Sequence, residues 1–288
     1  MTDVEGELSM GSDVFSGRAL GSASSSEPWV APVIDTSVAH PARMYDYYLG
    51  GKDNFPADRE AAERILAVGP QTRVFARANR AFLGRAVRFL AEQGIDQFLD
   101  IGSGLPTMDN VHEVVRRTIP DAKVVYVDND PTALAHANAL LAKSEGVTAI
   151  RGDVREPAEV LEDAMSQGQL DVTRPFVVLL AAIMHFVSDG DGAAGIVRTF
   201  TDAMPSGSYL ILSQAVHDLQ PEEAARASSM YRNAASQLVT RSKHEFAEFF
   251  AGLELAEPGL TRSSLWRSSE QPGPDEPNDL YVGVARKP

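Results

Sequence analysis

The stretch Phe98-Leu-Asp-Ile-Gly-Ser-Gly-Leu-Pro-Thr107 decides the fold class of this 288-residue chain. A short apolar run reaches an acidic residue, Asp100, and passes directly into Gly102 and Gly104. Glycine permits a backbone with positive φ and lets a ligand approach bare main chain, and such turns follow the first strand of nucleotide-binding sheets. The stretch predicts a strand, a tight turn and a ligand site at the carboxyl end of that strand.

Short apolar runs alternate with helical stretches after Gly94, which is typical of βαβ units that build a mostly parallel sheet. Helical periodicity dominates before it, from Ile34 to about Gln93. Near the other end, Ser242-Lys-His-Glu245 has the pattern of a capping box, and Glu257–Asp279 has the Pro, Gly and Ser content of an exposed loop. The predicted strands are Gln97–Ile101, Lys123–Val127, Val147–Arg151, Phe176–Ala181, Tyr209–Ser213, Glu254–Ala256 and Tyr281–Ala285.

Three segments of different composition follow one another along the chain. Residues 1–30 are rich in Ser, Gly and acidic residues and lack apolar periodicity, so we expect a disordered tail. Residues 31–93 form a helical lead-in, interpreted as a cap or lid, and residues 94–288 form the ligand-binding domain.

The composition excludes several classes of function. The chain has no cysteine, which removes thiolate catalysis and zinc-thiolate sites, and its six histidines lack metal-ligand spacing, so we predict no metal. A formal charge of −14 repels phosphate backbones and anionic membranes, and no apolar run is long enough for a membrane span. We expect a cytoplasmic protein that binds neither nucleic acid nor membrane.

The acidic residue before the glycines indicates the kind of ligand. A turn that binds pyrophosphate would prefer a third glycine where this chain has Thr107, and a carboxylate beside it is unfavourable. The Asp100 carboxylate instead suits a ligand that carries an ammonium and a sulfonium, namely S-adenosylmethionine. The alternative is that Gly102 and Gly104 serve only the geometry of the turn.

Two further strands are also followed by acidic residues. Asp128 ends the second strand, where it can accept hydrogen bonds from both ribose hydroxyls, and Asp153 follows the third, where it can accept from the adenine amine. Each could instead cap a helix, although Asp130 before Pro131 already fills that role for the second. Because ligands of such sheets sit outside the carboxyl ends of the strands, the aspartates predict one shared site.

The run Asp100-x-Gly-x-Gly, with Asp128 and Gly152-Asp153, resembles the class I S-adenosylmethionine-dependent methyltransferases over residues 94–288. The segment Ala42-Arg-Met-Tyr-Asp-Tyr-Tyr-Leu-Gly-Gly-Lys-Asp-Asn-Phe55, followed by Ala57-Asp-Arg-Glu60, resembles the lead-in of an actinobacterial family within that class.

The resemblance implies an α/β Rossmann-like fold with an N-terminal helical cap. The implied sheet is seven-stranded and mostly parallel, in the order 3-2-1-4-5-7-6 with the last strand antiparallel. It implies S-adenosyl-L-methionine as donor, with Asp100 and the glycines near methionine, Asp128 near ribose and Asp153 near adenine. The predicted cofactor-binding residues are Asp100, Gly102, Ser103, Gly104, Asp128, Asn129, Asp153, Val154 and Ala181, together with Tyr47 and Asn54 of the lead-in.

Tyr47 and Asn54 are included because the lead-in holds more polar groups than a packing helix needs. We interpret it as a lid over the cofactor; the alternative is a surface helix that ends at Gly50-Gly51. His185 follows the fourth strand, close to where this fold places the methyl group, and is the candidate catalytic base. The alternative for His185 is a histidine packed beneath the next helix.

Together, these patterns predict a methyltransferase that acts on a small molecule. Two other functions stay open at this point: a regulatory protein that binds S-adenosylmethionine without turnover, and a nicotinamide-dependent oxidoreductase. Thr107 and Asp100 argue against the oxidoreductase.

Overall fold

The computed structural model of the chain describes residues 34–106, 109–141, 144–167, 170–218, 221–230, 237–269 and 280–288. Val33–Pro288 form one compact unit. The predicted tail, residues 1–30, lies outside the described residues, as do Thr107 and the second half of the predicted loop Glu257–Asp279.

A mostly parallel sheet with the spatial order β3-β2-β1-β4-β5-β8-β6 forms the centre of the protein, and β7 also pairs with β8. The pairs β3-β2, β2-β1, β1-β4 and β4-β5 are parallel, whereas β8 is antiparallel to β5. This is the predicted Rossmann-like order. The strands are β1 Gln97–Ile101, β2 Lys123–Asp128, β3 Val147–Arg151, β4 Val177–Ala181, β5 Tyr209–Gln214, β6 Glu254–Leu255, β7 Thr261–Arg262 and β8 Tyr281–Arg286.

The sheet has eight strands where seven were predicted, because the strand beside β8 is interrupted. Both β6 and β7 pair antiparallel with β8, and Thr261–Arg262 falls within the segment predicted as a loop. Pro258 and Gly259 lie between the two pieces. Proline has no amide hydrogen to donate to a neighbouring strand, so the pairing with β8 stops after β6 and resumes at β7. The two short strands together take the place of one predicted strand.

Helices surround the sheet and begin where the sequence signals them. The Asp130 carboxylate accepts a hydrogen bond from the Thr132 amide at 2.9 Å, which caps α5 as predicted. The capping box of α9 is also present, since Ser242 and Glu245 exchange side-chain to backbone hydrogen bonds. The helices are α1 Pro41–Leu49, α2 Pro56–Leu66, α3 Thr72–Glu92, α4 Val111–Arg116, α5 Pro131–Leu141, α6 Pro157–Ser166, α7 Ala193–Ala203, α8 Pro221–Met230 and α9 Lys243–Glu248.

The first three helices pack as one layer against the rest of the protein. Apolar residues of α1, α2 and α3 form a common cluster that includes Met44, Ile65 and Ala76, and Phe186 and Leu238 from outside the lead-in pack against it. Helix α3 also contacts α4. The predicted helical lead-in therefore shares buried surface with the segments that follow β4 and β5.

Parallel pairing aligns the carboxyl ends of five strands along one edge of the sheet. Asp100 of β1 pairs in register with Tyr126 of β2, and Asp128, at the end of β2, pairs with Arg151 of β3. Adjacent strands lie about 4.8 Å apart, so the residues that follow these strands are close neighbours. The sheet thus brings the three predicted acidic positions to a single edge.

Candidate functional site

A cavity of about 280 Å³ lies along this edge of the sheet, close to the size range of small-molecule sites. Its floor is formed by residues that follow β1, β2, β3, β4 and β5, and its roof by residues of α1, α2 and α3. The predicted residues that line it are Asp100, Gly102, Ser103, Gly104, Asp128, Asn129, Asp153, Val154, Ala181 and His185.

The glycine turn after β1 is fixed by contacts with β2. Gly102 and Gly104 have φ angles of +68° and +66°, which favour glycine. The Gly102 amide donates to the Val127 carbonyl at 2.8 Å, and the Gly104 amide donates to Asp128 Oδ2 at 2.7 Å. A Cβ at Gly102 would lie 2.7 Å from the Ile183 side chain, whereas one at Gly104 would meet no described heavy atom within 4 Å beyond its chain neighbours.

The two glycines therefore serve different purposes. Position 102 needs a residue without a side chain, because the segment that follows β4 packs directly against the turn. Gly104 leaves open space and a bare backbone on the cavity, as a ligand cradle requires.

Asp100 and Asp128 are both buried acidic residues at the cavity. Burial raises the pKa of Asp100 to about 7; nearby Arg80 opposes that shift, and the Asp128 charge adds to it. Burial also raises the pKa of Asp128, while backbone hydrogen bonds from Asp130 and Gly104 hold it down. Two carboxylates in one poorly solvated site favour a cationic or hydroxyl-bearing partner over an anion.

Asp153 lies at the far end of the same edge, beyond β3. Its carboxylate accepts from the Arg155 guanidinium at 3.0 Å and from the Asn129 amide at 3.3 Å. Arg155 also donates to the Phe186 carbonyl at 3.2 Å, which ties this loop to the segment after β4. Val154 is buried and belongs to the core cluster beneath the sheet.

His185 sits in a short 3-10 turn, Met184–Phe186, that follows β4. The residue is 6% exposed, and Nδ1 has no hydrogen-bond partner among the described residues. Burial, reinforced by the charge of Arg241, lowers the pKa of His185 to about 3, so the imidazole is neutral near pH 7. Such a ring can accept or donate a hydrogen bond, but it is a much weaker base than an ordinary histidine.

Arg241 holds the His185 turn in place. Its guanidinium donates to the carbonyls of Met184 and Val187, each at 2.8 Å, and pairs with Asp189 at 2.7 Å. The Val239 amide donates to the His185 carbonyl at 2.7 Å. The chain after α8 thus clamps the turn after β4 through contacts between residues far apart in sequence.

Tyr47 and Asn54, the two predicted lead-in contacts, do not line the cavity. The Tyr47 hydroxyl bonds to Glu63, and the Tyr47 ring stacks under Arg73. Asn54 is buried, and its side chain bonds to Asp46 at 2.7 Å and to the Gly51 carbonyl at 3.1 Å. Both side chains are engaged within the lead-in, so the structure favours a role for them in shaping that segment.

Tyr45 and Asp46 line the cavity where Tyr47 and Asn54 were predicted. The Tyr45 hydroxyl donates to the Ala76 carbonyl at 2.9 Å and accepts from the Asn79 amide at 3.1 Å. The signal for this was helical periodicity: Ala42, Tyr45 and Asp46 stand at i, i+3 and i+4, and hence on one face of α1. Tyr47 follows Tyr45 by two positions, which is more than half a turn of the helix, so its side chain points away from the cavity.

Asp46 also explains the paired glycines of the lead-in. Its Oδ2 accepts from the Asp53 amide at 3.0 Å and from Asn54, which folds the chain back after α1. Gly50 ends the helix with a φ of +85°, and a Cβ at Gly51 would come within 1.8 Å of the Asp46 carboxylate. The Gly-Gly pair is therefore both a helix C-cap and the space for a buried carboxylate, whose pKa is raised by burial.

Contacts of His40 and Arg43 with Asp130 join the lead-in to the residues after β2. His40 Nδ1 lies 3.3 Å and Arg43 Nε 3.8 Å from Asp130 Oδ2, and Arg43 also pairs with Asp58 at 3.2 Å. Asp130 in turn donates its amide to Asp128 Oδ1 at 2.8 Å. The first helix is thus anchored next to the proposed ribose-binding carboxylate.

Over the described ranges, no group of three or more His, Asp or Glu side chains is arranged to hold a metal ion. Nor does any helix in those ranges have the length and apolar content to cross a membrane.

This fold and this acidic strand edge define the class I S-adenosylmethionine-dependent methyltransferases. The chain belongs to the S-adenosyl methyltransferase family, whose model matches residues 27–288. No curated protein matches the chain. Family membership selects the methyltransferase interpretation over the oxidoreductase and the regulatory protein.

Two solved structures are similar over nearly their whole length. A DUF574 family protein from Streptomyces avermitilis MA-4680 is 42% identical, with a TM-score of 0.85 over 89% of this chain and 100% of that one. A candidate methyltransferase from Thermobifida fusca YX is 38% identical, with a TM-score of 0.84 over 91% of this chain and 99% of that one.

The residues present fit S-adenosylmethionine, the donor of this family. The buried Asp100 carboxylate can pair with the ammonium, and the open space at Gly104 admits a ligand to the backbone. Asp128 keeps lone pairs for hydroxyl groups after accepting one backbone hydrogen bond on each oxygen.

Proposed function

We propose that this methyltransferase transfers the methyl group to a small-molecule acceptor that binds in the same cavity as the donor, beneath α1, α2 and α3. The observation that carries the proposal is the continuity of the cavity: it extends from the carboxylates after β1, β2 and β3 to residues after β4 and β5. The donor needs only the first part, so the second part is free for an acceptor.

Each predicted cofactor residue that lines the cavity receives a role from its position. Asp100 binds the donor's ammonium, and the backbone of Gly102, Ser103 and Gly104 lies along its methionine portion. Asp128 accepts from the ribose hydroxyls. The adenine lies between Asn129, Asp153 and Val154, and Ala181 borders the sulfur.

S-adenosylmethionine supplies a carbon already activated by its sulfonium. The protein's residues contribute alignment and the exclusion of water. His185 lines the cavity and is neutral, so it orients an acceptor by a hydrogen bond. Because its pKa is about 3, the ring does not stay protonated near pH 7 if it receives a proton.

The lead-in forms the roof of the site rather than a separate domain. Tyr45 and Asp46 line the cavity, and the contacts of His40 and Arg43 with Asp130 fix α1 over the end of β2. We infer that the lid function predicted for residues 31–93 belongs to this face of α1.

To test the proposal, the protein is incubated with methyl-labelled donor and a cell extract, and small molecules are then separated from macromolecules by filtration. We expect labelled product in the low-molecular-weight filtrate, and calorimetry should show binding of S-adenosylhomocysteine but not of NAD. Label found only in the retained proteins or nucleic acids would refute a small-molecule acceptor.

A further inference from the structure

The cavity is divided into a charged part and an uncharged part. The lining residues at or after the carboxyl ends of β1, β2 and β3 include Asp100, Asp128, Asp153 and Arg155. Among the described residues that line the cavity after β4 and β5 and before β8, none has a charged side chain apart from the titratable His185; they include Ala182, Ile183, Phe186, Ala215, Val216 and Leu280.

The roof repeats this division. Its polar and charged residues contact the β1 and β2 side: His40 lies 3.3 Å from Asp130, and Arg80 donates to Asn110, just before α4, at 3.4 Å. Asp46 holds Asp53, whose carboxylate lies 3.7 Å from His136 on α5.

The apolar roof residues lie over the other side. Ile65 belongs to the cluster against which Phe186 and Leu238 pack, and α2 contacts α8, which follows β5. Val68 lines the cavity just after α2, and its amide donates to the Ile65 carbonyl at 3.1 Å, so it lies beside Ile65. The described residues of floor and roof on this side are therefore uncharged.

Two charged side chains of the described residues, those of Arg155 and Arg241, lie close to the uncharged part and are already engaged. Arg155 is bound to Asp153 and to the Phe186 carbonyl, and Arg241 is bound to Asp189 and two carbonyls without lining the cavity. His185 is neutral at physiological pH. A carboxylate, phosphate or ammonium placed there would lose its hydration without gaining an oppositely charged partner among the described residues, which is strongly unfavourable.

We propose that the part of the cavity lined by the segments after β4 and β5, with Ile65, Val68 and Leu238 above it, binds an uncharged, predominantly apolar acceptor. This inference rests on the proposed function, because it takes the charged part to be occupied by the donor. His185 and Thr240 supply the few polar contacts that orient the acceptor.

A pair of fluorescent probes tests this preference directly. N-phenyl-1-naphthylamine is uncharged, and 8-anilinonaphthalene-1-sulfonate has the same rings with one sulfonate added. Both are titrated into the full chain saturated with S-adenosylhomocysteine, in high salt so that the net charge of −14 is screened. We expect one saturable site for the neutral probe and at least about tenfold weaker binding of the sulfonate.

Two lysine variants locate the site. Val68 is 37% exposed and lines the cavity, whereas Val74 is 39% exposed and does not, so V68K and V74K add the same charge at similar exposure. V68K should weaken the neutral probe and strengthen the sulfonate, and thus shift their affinity ratio by about tenfold or more. V74K should leave the ratio unchanged.

The outcomes separate this inference from the proposed function. Failure of S-adenosylhomocysteine to bind the unmodified chain would overturn the proposed function itself. If it binds but the two probes bind equally, or if V68K and V74K behave alike, the uncharged acceptor site is refuted. The comparison of probes on the unmodified chain holds even if V68K does not fold.

Discussion

The Asp128 carboxylate and the Gly104 backbone amide are hydrogen bonded, with 2.7 Å between Oδ2 and the amide nitrogen. This contact joins the end of β2 to the glycine turn after β1, so the carboxylate that we propose binds the ribose also shapes the turn that we propose faces the methionine portion. The donor site is built as one unit across two strands, and its residues should respond together to mutation.

Replacement of Asp128 by asparagine should weaken S-adenosylhomocysteine binding by at least about tenfold, because hydrogen bonds to charged groups contribute about 1.5–3 kcal/mol each. The asparagine amide would also face the Gly104 or Asp130 amide. Titration calorimetry measures the loss. Asp121→Asn is the matched control. Asp121 is exposed and lies just before β2 begins, whereas Asp128 lies where β2 ends. Equal affinities in the two variants would contradict the ribose assignment.

Asp100 should make donor binding depend on pH. Its pKa of about 7 lies above the ordinary value of 3.8, so without ligand its contribution to stability is present at low pH and is lost as the pH rises towards and through about 7. Donor affinity should rise over the same window, since the ammonium pairs with the ionised carboxylate.

Asp100→Asn provides the check on this coupling. The variant should bind S-adenosylhomocysteine weakly, with a flattened pH dependence, and without ligand it should be more stable than the unmodified chain at about pH 8. Calorimetry and thermal unfolding at about pH 5 and pH 8 measure both effects. An unchanged pH dependence in the variant would show that another group titrates.

Alanine at Gly102 and at Gly104 should have separable effects. Both positions have positive φ, which costs an alanine about 1–2 kcal/mol. Only Gly102→Ala adds a clash, with Ile183 at 2.7 Å, so it should destabilise the protein more. Gly104→Ala should mainly weaken donor binding, because its methyl group enters open space on the cavity. Denaturant unfolding and calorimetry on both variants give the comparison, and an Ile183→Ala change should partly rescue Gly102→Ala alone.

His185→Ala should lower kcat while the affinity for S-adenosylhomocysteine stays within about twofold, because the ring borders the acceptor part of the cavity. Since its pKa is about 3, the imidazole stays neutral, and it should produce no inflection in kcat between about pH 5 and pH 8. An inflection near 6.5 that disappears in the variant would show that His185 titrates as an ordinary base.

Removal of single hydroxyl groups tests which face of α1 covers the cavity. Tyr47→Phe should leave donor affinity unchanged, since that hydroxyl bonds to the exposed Glu63. Tyr45→Phe should lower the free energy of unfolding by about 1–2 kcal/mol, because it leaves the Ala76 carbonyl and the Asn79 amide without their partner. If Tyr47→Phe loses donor affinity and Tyr45→Phe does not, the prediction that Tyr47 contacts the cofactor is correct.

Much of the fold could be predicted because its signals are local. Apolar runs such as Gln97–Ile101 and Val147–Arg151 match β1 and β3, and the caps at Asp130 and Ser242 begin helices as predicted. β7 was missed because two residues between Gly259 and the following loop carry no periodicity. Their strand geometry comes from pairing with β8, which is a long-range contact.

The candidate site was likewise predicted only where its signals are local. The aspartates after β1, β2 and β3 were predicted because strand order places their carboxyl ends together. The roles of Tyr45, Asp46 and Arg241 were not, because each depends on which distant surface its segment meets. Arg241 contacts the turn after β4 across more than fifty residues.

The sequence by itself determined the strands other than β7, the glycine turn, the acidic strand ends and the family, since each follows from neighbouring residues or from motif spacing. Only the tertiary structure decided which face of α1 covers the cavity, how Arg241 holds His185, and that the described residues on one side of the cavity are uncharged. These features arise from packing between segments far apart in the chain, where burial and the position of a partner set the charge state and accessibility of each side chain.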